Sequence, residues 1–170
     1  MASGKVPKLT YNDQTLTRAE FTERVERLAA LFASRAVTEG STVTIGLPNS
    51  IGFMESMFAA WALGAVPQPI SDRLPALERE AIADLADPAL VVGAPPSDGQ
   101  TRPVLESVPR NLPAGPFTLG VSPEWKLMTS GGSTGRPKLI GATQPALSEF
   151  VGLAGALVHL PGSSGSARRR

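Results

Sequence analysis

The chain has 170 residues, enough for one domain with a sizeable core. Apolar residues make up 42% and charged residues 18%, a globular balance and not a disordered one. The formal net charge is +1, which offers no strong field to nucleic acid or an anionic membrane, and the lack of cysteine excludes disulfides, thiolate catalysis and cysteine metal sites.

The first residues, "MASGKVPKLTYNDQ", contain no apolar core of secretory length, and the run Met57–Val66 is too short to span a bilayer, so a cytoplasmic protein is expected. Thr17 and Glu20 read as a capping box opening a helix, with Phe21, Val25, Leu28, Ala29 and Phe32 on one face and Gly40 as the stop. "TVTIGL", Thr42–Leu47, reads as a short buried strand, and Asn49 or Ser50 can cap the next helix. Ile51, Met54, Met57, Phe58, Trp61 and Ala62 are expected on the apolar face of that helix, with the two methionines and Trp61 in the core.

"AVPQPI" is extended, with Pro67 and Pro69 arguing against a central sheet position. "PALEREAIADLA" then predicts a helix and Ala89–Gly93 a strand. Strand, helix, extended segment, helix and strand at these lengths predict an α/β fold with a parallel sheet flanked by helices.

From Ala94 to Glu124 there are seven prolines and almost no periodicity, which implies either a segment wrapped over a surface outside this chain or a joint between subdomains. "WKLMTS" and "KLIGAT" read as two strands around a glycine-rich loop, and Gln144-Pro145 can open a final helix through Leu153. Residues 161–170 read as a disordered tail carrying Arg168–Arg170, which leaves 1–160 as the structured part.

The loop "MTSGGSTGRPKLI" is ordered as no plain linker would be. Gly131, Gly132 and Gly135 let backbone amides converge on an anion; Ser130, Ser133 and Thr134 add hydroxyls, and Lys138 adds a full charge. A polyphosphate is the ligand that needs so many donors in a small volume. Two familiar phosphate loops do not fit, because Lys138 lies between Pro137 and Leu139 and because Gly131 and Gly132 are adjacent.

"TSGGSTGRPKLI" resembles the phosphate-binding signature of the adenylate-forming, AMP-binding ligases, matching from Thr129 to Lys138 without a gap. The upstream stretch with "GLPNS" and "GAVPQP" resembles the N-terminal region of the same family, and the ending Arg-Pro-Lys-Leu-Ile is most similar to bacterial acyl-CoA synthetases, the bile-acid type among them. The resemblance implies an ATP-dependent activation of a carboxylic acid as acyl-adenylate, with magnesium accompanying ATP and coenzyme A as the acceptor. It implies that Thr129, Ser130, Gly131, Gly132, Ser133, Thr134, Gly135 and Lys138 hold the ATP phosphates.

The family's Tyr-Gly-x-Thr-Glu segment, its ribose aspartate and its adenylation lysine have no counterpart here; the one tyrosine is Tyr11. Residues 1–160 are therefore expected to be an incomplete N-terminal domain, inactive alone, with exposed apolar surface favouring self-association or a complementing chain. A non-catalytic phosphate binder, one part of a split enzyme, and an inert remnant are the alternatives. His159 is expected to be structural or exposed, Arg136 solvated, and Asp84 with Asp87 to lack metal-ligand spacing.

Overall fold

The computed structural model describes residues 8–93, 102–122, 124–130 and 138–143. The expected final helix after Gln144 and the tail 161–170 lie outside them.

The chain opens with a hairpin that periodicity does not reveal. Strands β1 (Lys8–Tyr11) and β2 (Gln14–Thr17) pair antiparallel across Asn12-Asp13, with Asn12 at φ 51°. Asparagine tolerates that left-handed turn, and the Asn-Asp pair is its readable signal. Helix α1 (Arg18–Ser34) starts as expected: Glu20 N–H donates to Thr17 Oγ1 at 3.3 Å, while Thr17 N–H and hydroxyl donate to Glu20 Oε2 at 2.7 and 2.8 Å. The two bonds that Glu20 accepts, the backbone one foremost, hold its carboxyl below the ordinary pKa.

α1 stops earlier than Gly40. Ala36 takes the left-handed conformation at φ 64°, and Val37 turns back to donate its N–H to Phe32 O and bury its side chain. Gly40 instead ties the following turn to Gly64, donating to its carbonyl at 2.9 Å.

Four parallel strands form the sheet in the order β4-β3-β5-β6: β3 (Thr42–Ile45), β4 (Val66–Pro69), β5 (Leu90–Val92) and β6 (Val104–Leu105). Helix α2 (Ile51–Ala62) links β3 to β4, and α3 (Ala76–Ala86) links β4 to β5. The two crossovers run in opposite directions, so right-handed connection puts α2 and α3 on opposite faces. Val43, Ile45, Leu90 and Val92 face the α1–α2 layer in one apolar cluster with Leu28, Phe32 and Met57. On the α3 side, Thr44 Oγ1 donates to Gln68 Oε1 at 2.5 Å and Gln68 Nε2 donates to the Ile82 carbonyl at 3.1 Å, so a fully buried amide is satisfied.

β4 is an edge strand of this sheet, as its prolines require. Val66 and Ile70 donate their N–H groups toward β3, so the opposite parity puts Pro67 and Pro69 with their missing donors outward.

The expected face of α2 is corrected. Ser50 caps the helix through Phe53 N–H, but the buried positions are Ile51, Glu55, Ser56, Met57, Ala59 and Ala60. Met54 and Phe58 are exposed, and Trp61 is half-buried. Small residues face inward because they let the α2 backbone approach its neighbours closely, with Ser56 satisfied by the Gly52 carbonyl at 2.8 Å.

For the proline-rich segment, the reading as a wrap over a surface outside this chain is corrected. After β6 it wraps over this chain's own surface: Val108, Leu112 and Phe117 pack on the core, and Arg27 Nη1 donates to the Leu112 carbonyl at 2.6 Å. It ends beside the α2–β4 turn, where Gly120 N–H donates to Ala62 O at 3.0 Å and Gly120 bridges Leu63 in parallel.

Candidate functional site

The glycine-rich motif is carried by a second hairpin. Strands β7 (Glu124–Ser130) and β8 (Lys138–Thr143) pair antiparallel with Met128 opposite Ile140, Thr129 opposite Leu139 and Ser130 opposite Lys138. Ladder pairing thus brings the last residue before the glycine run face to face with the lysine after it. Gly131, Gly132, Ser133, Thr134 and Gly135 lie outside the described residues.

Strand alternation separates the described candidates. Lys138 shares the face of Met128 and Ile140, which are 39% and 51% exposed, and is itself exposed. Thr129 lies with Leu139 on the opposite, half-buried face. An exposed ammonium at the head of β8 is a compact point charge with three donors, a chemistry suited to phosphate oxygens.

An aromatic column seats this hairpin on the parallel layer. Phe21 of α1 meets Phe58 edge to face at 5.3 Å, Phe58 meets Trp61 at 5.2 Å, and Trp61 stacks on Trp125 of β7 at 5.5 Å and 23°. Trp61 Nε1 also donates to the Trp125 carbonyl at 2.5 Å, and Lys126 Nζ lies 4.6 Å from the centre of the Trp125 ring. Just upstream, the buried Ser122 hydroxyl donates to the Glu124 carbonyl at 2.6 Å and accepts from Glu124 N–H at 3.3 Å, fixing the start of β7. β7 lies beside β4, and β8 touches α3. Tryptophan abundance alone could not reveal the stack, because its two members are 64 residues apart.

Comparison with known proteins agrees with this architecture. The model of the AMP-binding enzyme family matches residues 2–120, so the match ends before the Thr129–Lys138 motif. Pyochelin synthetase PchE of Pseudomonas aeruginosa is 30% identical over 142 residues, covering 81% of this chain and 10% of that protein. A feruloyl-CoA synthase of Amycolatopsis is 33% identical over 135 residues, 72% of this chain and 27% of the relative.

Among solved structures, the Bacillus subtilis O-succinylbenzoate coenzyme A synthetase MenE, in complex with AMP, superposes with a TM-score of 0.69 at 22% identity. That alignment covers 89% of this chain and 42% of MenE. The N-terminal subdomain of Klebsiella oxytoca NpsA, with 3-hydroxybenzoyl-AMSN, gives 0.66 at 20% identity over 82% of this chain and 37% of that one.

The fold is that of the N-terminal domains of adenylate-forming enzymes. The chain belongs to the AMP-binding enzyme family, the adenylate-forming ligases. It spans 10% to 27% of the length of these two curated relatives and about two fifths of the MenE chain. Among the described residues, no helix is long and apolar enough to cross a membrane.

Proposed function

We propose that the β7–β8 hairpin holds the β- and γ-phosphates of magnesium-bound ATP while a carboxylic acid is activated as its acyl-adenylate, with coenzyme A as the later acceptor. The observation that carries this reading is the register that sets Ser130 opposite Lys138 at the two ends of the glycine run. In the proposed reaction a carboxylate oxygen attacks the α-phosphorus, the bond to the bridging oxygen breaks, and pyrophosphate leaves with the electron pair. The task of Lys138 is to neutralise charge that grows on the leaving group.

The share of the work proposed for this chain is the phosphate grip.

Calorimetric titration with magnesium pyrophosphate tests it. A charge-assisted hydrogen bond contributes about 1.5–3 kcal/mol, so Lys138→Ala should weaken binding roughly 10- to 100-fold, with Lys138→Arg recovering part of the loss. Unchanged affinity in Lys138→Ala would remove the hairpin from consideration as the phosphate site.

A further inference from the structure

A hollow of about 490 Å³ opens beyond the carboxyl ends of β3 and β6, and none of its lining residues belongs to β7 or β8. It lies under the β1–β2 turn, between the start of α2 and the segment after β6. Open parallel sheets receive ligands beyond their carboxyl ends, and this volume is within the usual range for a small-molecule pocket.

Its wall contains a carboxylate that the fold alone does not explain. Glu55 projects from α2 and is only 5% exposed, yet its one side-chain bond among the described residues is from Arg24 Nη1 to Oε1 at 3.3 Å. An ionised carboxylate has about four acceptor positions, and burying it with few of them filled is costly. Oε2 accepts nothing from the described residues. Among those residues only Arg102 Nη1 is both sealed from solvent and unpartnered, so Glu55 Oε2 keeps some access to solvent, and Glu55 lines the hollow.

The other polar groups of the wall include cationic donors. Arg24 is 41% exposed at its side chain, and Arg110 is exposed with no hydrogen bond or ion pair among the described residues. Arg27 is already engaged by Glu23 and the Leu112 carbonyl. Leu47, Ile51 and Val108 supply an apolar side.

We infer that this hollow is a binding site, separate from the phosphate hairpin, for an acid with an apolar body and a neighbouring donor group. The ligand carboxylate meets Arg24 and Arg110, its hydroxyl or ammonium donates to Glu55 Oε2, and its body lies against Ile51 and Val108. The ligand class follows from the complement of one buried acceptor, the half-exposed Arg24 paired with it, the exposed Arg110 and an apolar wall.

Calorimetric titration of the full chain with phenyllactate, phenylalanine, phenylpropionate and inorganic phosphate tests this. Phenyllactate and phenylalanine should bind saturably, and phenylpropionate, which lacks the donor, at least tenfold more weakly. Glu55→Gln should cost phenylalanine at least tenfold. Arg110→Ala, a surface change that leaves folding intact, should cost both ligands at least fivefold, while Lys138→Ala should leave them unchanged. No saturable binding, equal affinity for phenylpropionate, tighter binding of phosphate than of the acids, or no effect of Arg110→Ala would overturn the inference. Loss on Lys138→Ala would also overturn it, by moving the ligand to the hairpin.

Discussion

Gly64→Ala is expected to destabilise the chain by about 3 kcal/mol, a large fraction of the roughly 5–15 kcal/mol that holds a domain folded. Gly64 has φ +68°, a left-handed conformation that costs an alanine about 1–2 kcal/mol. Its added Cβ would also lie 2.7 Å from Val121 N and 2.8 Å from the Gly120 carbonyl carbon, both backbone atoms that cannot rotate away. Overpacking of that kind adds about 1–3 kcal/mol.

Gly40 provides the control. It has a similar φ of +78° but nothing within 4 Å of where an alanine methyl would sit, so Gly40→Ala carries only the conformational cost. The difference between the two urea midpoints isolates the close approach of Gly64 to the Gly120–Val121 backbone. Equal midpoints would show that the segment around Gly120 is not held there.

The second large effect is expected at the aromatic column. Trp61→Ala removes the stack on Trp125, the edge contact with Phe58 and the bond to the Trp125 carbonyl together. For a half-buried indole these amount to about 2–3 kcal/mol. Trp61→Phe keeps a ring but lacks the indole N–H, so it should lose about half as much. Because Trp125 belongs to the strand that ends at Ser130, Trp61→Ala should also weaken pyrophosphate binding at temperatures where the variant remains folded. Wild-type stability in Trp61→Ala would mean that the column is incidental to how the hairpin is seated.

Local signals were the most legible. The Thr17–Glu20 capping box depends on residues three apart, and the strand read over Thr42–Leu47 forms over Thr42–Ile45. The prolines of β4 correctly indicated an edge, because a missing donor has the same consequence in any sheet.

What escaped depends on distant partners. Hydrophobicity placed Met54 and Phe58 inward, whereas tight packing selected Ser56, Ala59 and Ala60. The proline-rich stretch has no period of its own, and its path follows Arg27, Leu63 and the core residues that receive Val108, Leu112 and Phe117. At the candidate site, both strands and their order were readable, since "WKLMTS" and "KLIGAT" carry strand composition. The pairing of Ser130 with Lys138 and the opposite placement of Thr129 come from the ladder register, which composition does not specify.

In the proposed function, the two strand ends around the glycine run grip a polyphosphate. Backbone amide NMR of the isotopically labelled chain during a magnesium pyrophosphate titration tests it most directly. Saturable shifts concentrated from Thr129 to Lys138 are the predicted result. Saturation with the largest shifts elsewhere, or no response at millimolar pyrophosphate, would exclude the hairpin as the polyphosphate site.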